Sequence, residues 1–409
     1  MLFSHAAAQR LCRGLSRECL CRVATSKTGK TGRAARLLRD EPRAPLSLAA
    51  RSGSRRSSSS SSSAQLTKEP LKQWTLVVNP FGSVRVHLRC SISVSPLDPH
   101  SFPEANRAFI TVRGTRADQG LRLDNVRVRY DERDKELLIV SENVNSSVSV
   151  DLSAPIKSDL HITTSGDGNV SIRNMECDTC QVVTENGNCV LHSIKSRGVV
   201  VQSAGGSIKG TGTVHGNVDI GTSGNGAVDI KKVQGTRMNV STEHGSLNVK
   251  AIYAESTCVS SSSGNVKLGS VHGDSTVQSE KGNVVIDGSD GYVRVSSREG
   301  DIDAYVGQRG SAELRAQHGS VSVRVPASLS AAVLLHGVSV DISPEVDLQE
   351  VKCRSTDTHT TITAHLNGKA DGGRRIEAWA EKGVVRLKTQ SWFESLKIES
   401  YDNTGQQMG

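Results

Sequence analysis

The sequence predicts an all-β protein: a right-handed parallel β-solenoid with coils of about 19 residues, each holding two short strands and two glycine turns, with β-rich caps at both ends. Three observations lead there. One glycine recurs at nearly constant spacing. Apolar and polar residues alternate on either side of it. The chain holds 38 glycines but only 13 aromatic residues in 409, so large rings do not fill its core.

The recurring glycine stands at Gly168, Gly187, Gly206, Gly226, Gly245, Gly264, Gly282, Gly300 and Gly319, at intervals of 18 to 20 residues. Two residues after it every position is apolar, from Val170 and Cys189 to Ile302 and Val321. Four after it most are apolar again, with Ser, Lys, Asp and Asn between. That period of two marks a half-buried strand. Before the glycine the same alternation recurs. The fifth position back is mostly Val, with Thr163, Gly221 and Leu314 as exceptions, and the third back carries a hydroxyl at eight of nine sites, Ser165 to Ser297. A second glycine follows about ten residues later, at Gly198, Gly216, Gly235, Gly273, Gly291 and Gly310, with Ala254 in one coil.

A unit this short cannot bury its own apolar face and must stack on copies of itself. The period and the alternation exclude helical repeats, and no Leu/Asn signature of a leucine-rich repeat is present. Each column becomes a ladder: Val, Ile and Leu inside, hydroxyls beside the turn. An open end would be a sticky edge, so caps are expected. Residues 71–160 form the N-terminal cap and first coils, with Trp74, Leu76, Val78 and 137–140 alternating. Residues 161–326 are the repeats. Residues 327–400 form the C-terminal cap, where Leu334, His336, Val338, Val340 and Ile342 alternate, as do Ile376, Ala378 and Ala380. Gly383, Val385 and Leu387 repeat the coil pattern once more, and Trp392, Phe393 and Leu396 are placed to close the last rung.

The net charge of +8 is uneven. Residues 1–56 hold 13 Lys/Arg and 3 Asp/Glu, a net of +10, which leaves −2 for the rest. Arg10, Arg13, Arg17 and Arg22 fall at helical spacing around Leu11 and Leu15. An Arg-rich, acid-poor amphipathic start is the composition of a mitochondrial transit peptide, so the expected location is the mitochondrial matrix. Arginines interrupt every apolar stretch a secretory signal would need. Residues 57–70, with the run Ser57 to Ser63, read as a flexible linker, and 401–409 as a tail. The balance beyond the leader offers no basic patch for nucleic acid. No run of 18 apolar residues suits a transmembrane helix.

The residues give chemistry little to hold. Cys12, Cys19 and Cys21 lie in the leader. The spacing of Cys90, Cys177, Cys180, Cys189, Cys258 and Cys353 is not a disulfide framework. Cys177 and Cys180 form a CxxC, with Cys189 and His192 nearby, but small apolar strand residues explain them better than zinc. A glycosidase needs two carboxyls about 5–9.5 Å apart. Asp229 and Asp303 share a column four coils apart. Asp301 and Asp303 share an outward face with no basic partner, which reads as a solvated strand. His215 and His272, and His244 and His318, are turn residues. The GDGN of 166–169 is weak for calcium, Lys231 and Lys232 are an isolated basic pair, and no phosphate loop is present. No catalytic, cofactor or metal residue is assigned.

The segment VVNPFGSVRVHL (77–88), the repeated SxxGxV pattern and the closing LNGKADGGRRIEAWAEKGVVRLK (366–388) resemble an adhesin-like β-solenoid family of unknown function, common in bacteria. Over 71–398, with QSWFESLKI at its end, the chain resembles a vertebrate member of it. The resemblance implies the fold and an adhesin-like role, and brings no catalytic residue with it. The expected function is a non-catalytic interaction scaffold with a protein or glycan partner. The alternative is a carbohydrate-active β-helix enzyme with its site on one face.

Overall fold

The structure is a computed structural model that describes residues 69–115, 126–141, 147–368 and 373–390. The basic leader with Cys12, Cys19 and Cys21, the serine run, Trp392, Phe393, Leu396 and the tail lie outside the described residues. Among the described residues there are 25 strands and no helix, all within one compact unit.

The first nine strands are β1 (Glu69–Val77), β2 (Ser83–Leu88), β3 (Ser91–Pro96), β4 (Arg107–Gly114), β5 (Arg127–Asp131), β6 (Glu136–Val140), β7 (Ser149–Ala154), β8 (Asp159–Thr164) and β9 (Val170–Arg173). The repeats supply β10 (Glu176–Thr184), β11 (Cys189–His192), β12 (Ile194–Ser203), β13 (Ile208–Thr222), β14 (Val228–Thr242), β15 (Leu247–Ser261), β16 (Val266–Lys281), β17 (Val284–Asp290), β18 (Tyr292–Glu299), β19 (Ile302–Val306), β20 (Ser311–His318) and β21 (Val321–Val325). The last four are β22 (Ala331–Ile342), β23 (Leu348–Ser355), β24 (Thr360–Leu366) and β25 (Arg375–Thr389).

The repeats stack in parallel register, coil upon coil. The residue two after the glycine, or after Cys90 in the first coil, forms one buried column: Ile92, Val170, Cys189, Ile208, Val228, Leu247, Val266, Val284, Ile302, Val321 and Val385 pair in turn. Each such side chain contributes roughly 1.5–3 kcal/mol by leaving water. The strand that enters the glycine turn forms a second column: Ile162, Val182, Val201, Ile220, Val240, Val259, Val277, Val295 and Leu314. This register corrects two sequence assignments. At Gly168 and Gly226 the turn holds one extra residue, Gly166 or Gly224, each at a positive φ near 66°. The column residues there are Ile162 and Ile220, not Thr163 and Gly221. The hydroxyls are Thr164 and Thr222, not Ser165 and Ser223.

The second glycine turn is not a separate loop. Strands β13 to β16 run 15 or 16 residues straight through that corner, with register shifts marking the bend. A third buried column lines it: Ile194, Val214, Val233, Ile252 and Val271.

Coils at both ends are stacked out of chain order. Strand β2 lies between β6 and β8, so the first coil is held between the second and the third. Strand β25 lies between β20 or β21 and β22, so the last coil is inserted beneath its predecessor. Antiparallel strands then close the stack: β5 on β6, β4 and β1 on β7, and β24 and β23 on β22. In β22 a shift between Gly337 and Ser339 reverses the alternation. Val333 and Leu335 are therefore the buried residues there, whereas Leu334 and His336 face outward.

Candidate functional site

The glycine turn explains its own composition. A Cβ on Gly187 would lie 1.9 Å from the Gly168 carbonyl oxygen, and the same conflict recurs at every coil up to Gly383, 2.0 Å from the Gly319 oxygen. Each coil lays its carbonyl where the next would carry a side chain. The hydroxyl column supports the turn: Thr164 donates to the Gly168 carbonyl at 3.0 Å, and Ser203 to that of Gly206 at 2.8 Å.

One residue beyond the glycine runs a ladder of side-chain acceptors. Asn169 Oδ1 accepts the Asn188 N–H at 2.8 Å, and Asn188 Oδ1 the Ser207 N–H at 2.9 Å. Asn265 serves Asn283, Asn283 serves Asp301, and Asp301 Oδ1 accepts from Ser320 at 2.7 Å. Asp301 is thus a rung of this ladder. Asp229 accepts from the Asn248 side chain at 2.9 Å.

Asp303 has a basic partner that sequence spacing does not reveal. Arg324 Nε donates to Asp303 Oδ1 at 2.7 Å. Arg324 is 7% exposed, donates also to the Ile286 carbonyl and the Gln390 side chain, and approaches Asp287 at 3.9 Å. It comes from two residues further along the neighbouring strand, β21, and reaches back across the rungs. One guanidinium thereby ties β17, β19 and β21 to Gln390, which follows β25. A buried cation with its donors committed is a structural clamp.

The CxxC is not gathered into a metal site. Cys177, Cys180 and Cys189 are buried thiols. Burial pushes Cys177 up to about 11, Cys189 up to about 12, and Cys180 well above its usual value. They remain protonated and unreactive at neutral pH. His192 is bonded to Thr211 instead. Among the described residues no three His, Cys, Asp or Glu side chains form a cluster suited to a metal. His215 and His272 lie in one column three rungs apart, with Gln234 and Tyr253 between.

The outward face of the entering strands is the surface that stands apart. From β10 to β16 it presents Gln181, Gln202, Asn239, Ser241, Ser260, Thr276 and Gln278, interspersed with Val183, Val200 and Cys258. Asp219 is the one carboxylate at these two positions of each strand; nearer the corner the same face carries Arg237 of β14 and Asp274 of β16. At β18 its character changes. Arg294 and the Tyr292 hydroxyl both reach Glu313, and Arg315 joins them at 2.8 Å. Burial works to raise the Glu313 carboxyl, but the Tyr292 hydroxyl and both arginines hold it below its usual range.

Outward aromatics are stacked along the rungs. Lys232 Nζ lies 4.8 Å from the ring of Tyr253, and His272 on the next rung stacks on it at 4.6 Å. Arg315 lies 5.7 Å from the ring of Trp379, with His336 at 4.7 Å from the rung on its other side. Both rings have a cation on one adjoining rung and an imidazole on the other. Ring faces that would stack on a sugar are occupied by neighbours.

Residues 221–371 match the family model described as Toastrack DUF4097. Three solved structures are similar. An adhesin candidate from Parabacteroides merdae is 11% identical, with 59% of this chain and 95% of that chain covered and a TM-score of 0.36. One from Parabacteroides distasonis is 14% identical, with 62% and 96% covered and a TM-score of 0.36. A lipid-binding candidate from the same species is 10% identical, with 78% and 97% covered and a TM-score of 0.29.

Proposed function

We propose that this chain is a non-catalytic, adhesin-like interaction scaffold: a right-handed coil stack that presents a nearly uncharged strand face to a protein or glycan. The carrying observation is that face, where amides and hydroxyls recur on every entering strand from β10 to β16 except β13, which supplies Asp219; Arg237 and Asp274 are its charges nearer the corner. Such a surface donates and accepts hydrogen bonds at a fixed repeat, with little net field to attract a polyanion. The Toastrack match over 221–371 and the resemblance to a vertebrate member of the adhesin-like family support the same reading. The engagement of Asp229, Asp301 and Asp303 in structural bonds favours it over the hydrolase.

A glycan array and cross-linking with mass spectrometry, run on the full chain, test the face. The double variant Ser241→Arg, Ser260→Arg should melt like the wild type and lose the captured ligand. Binding that survives in this variant, or turnover of any glycan by the wild type, sinks the proposal.

The address is a second part of the reading. The +10 charge of residues 1–56 motivates delivery to the mitochondrial matrix. Residues 1–60 fused to a fluorescent reporter should co-localise with mitochondria; a diffuse cytosolic signal refutes the address without touching the scaffold reading.

A further inference from the structure

We propose that the β23–β24 hairpin is an acid-weakened cover over the edge of β22, worked by the stacked imidazoles of His336 and His359.

The hairpin is the last element on its side of the stack. Ala331–Gly337 of β22 pairs with β24 across seven residues, and β24 alone separates that edge from β23. Uncovered, this edge would offer backbone donors and acceptors to any extended strand, which is how sheets take up partner segments.

Two histidines sit across the joint. His336 belongs to β22, and His359 to the turn between β23 and β24. Their rings lie 5.2 Å apart at an interplanar angle of 6°. His336 Nδ1 is 2.9 Å from Thr361 Oγ1 on β24. His359 Nε2 donates to the Glu381 carbonyl of β25 at 2.7 Å. Beyond His336 lies Trp379, and beyond that Arg315 of β20. Charged groups on the packed strands include Glu377, Glu381 and Lys382 of β25, and Arg354 of β23, which pairs with Thr361 opposite His336; Glu377 is already bound by Arg375 at 3.0 Å. The joint therefore gathers two titratable rings and a fixed cation, while one nearby carboxylate is already neutralised.

The sign follows from the surroundings. Burial, and then the neighbouring His359, hold His336 below its ordinary value, while Glu381 opposes them weakly. A histidine depressed in the folded state supports the fold above its unfolded value of about 6.5 and withdraws that support as pH falls. Two charged imidazoles stacked at this distance repel each other, and Arg315 adds to the charge.

His365 of β24 is 3.9 Å from Glu350 of β23, a contact inside the hairpin.

Amide hydrogen exchange on the full chain, corrected for the intrinsic effect of pH, reads this directly. Between pH 8 and pH 5.5, protection of the β22 amides that face β24 and of the β24 amides opposite them should fall about tenfold or more, while those that face β25, Ala332 among them, should hold. The amides of β15 should hold. In His336→Phe, His359→Phe, which keeps two stacked rings without charge, the fall should vanish; His359→Gln, a milder change, should reduce it. Equal wild-type protection at both pH values overturns the proposal. So does a fall that persists in the phenylalanine variant, or one in which the β23–β24 pairing opens as far as the β22 edge, since that is melting rather than release.

Discussion

At the scale of single residues, the turn glycines and the buried column carry the most risk. Gly245→Ala would put a methyl 1.9 Å from the Gly226 carbonyl oxygen, a backbone atom that cannot swing away. Overpacking of this kind costs about 3 kcal/mol. A Cβ on Gly198 would meet nothing within 4 Å, and its φ is not positive, so Gly198→Ala should change stability by about 0.5 kcal/mol or less. Denaturant melts of the two variants check the contrast. Val266 lies between Leu247 and Val284 in the buried column. Val266→Asp buries a carboxylate with no partner, which costs several kcal/mol and should leave the chain largely unfolded. Asp303→Asn is not the neutral surface change that its place on an outward strand face suggests. It removes the charge opposite the buried Arg324. A charge-assisted bond discounted for an aspartate that is 42% exposed should cost about 1 kcal/mol in the same melts.

At the scale of the coil, the acceptor ladder links elements that side-chain packing alone would leave free to slip. A one-residue slip in a strand reverses every side chain, and the asparagine ladder opposes it from outside the core. Asn283 takes part twice: its N–H goes to Asn265, and its Oδ1 accepts from Asp301. Asn283→Ala keeps the first bond and loses the second. The expected cost is about 1 kcal/mol, with the loss of amide protection greatest at Asp301 and spreading little to β14. Equal loss on all rungs would show that the ladder does not act locally.

At the scale of the whole described unit, the closure of the ends is what keeps a stack of similar rungs from growing. Strand β23 carries Lys352 and Arg354 and a register shift between Gln349 and Lys352, while β1 has Pro70 beside a shift of its own. Charges, bulges and proline are the devices that blunt an edge. Deleting 344–367 would expose β22, with its buried Val333 and Leu335. The truncated chain should show a larger, concentration-dependent mass by light scattering than the intact chain at equal concentration; equal masses would mean the edge is protected by something else.

How much of this is legible in the sequence depends on which interactions are local. The glycine spacing and the apolar alternation identify the coil, its period and its main buried column, because those features repeat in sequence as the backbone repeats in space. The same spacing misplaces Thr163 and Gly221, since one extra glycine in a turn shifts a column without changing its average period. It misses the third buried column, for Val214, Val233 and Ile252 lie beyond the alternating stretches on either side of the turn glycine. Arg324 is invisible as the partner of Asp303, because a long side chain crosses rungs that lie about twenty residues apart in the chain. The order of the terminal coils is likewise open: a 19-residue pattern states that a coil fits the stack, not which two coils it fits between. The sequence by itself determined the repeat, the composition of its turns and its main buried column. Only the tertiary structure decided the stacking order, the clamp and the histidine joint, since each joins residues far apart in the chain through geometry that no local pattern encodes.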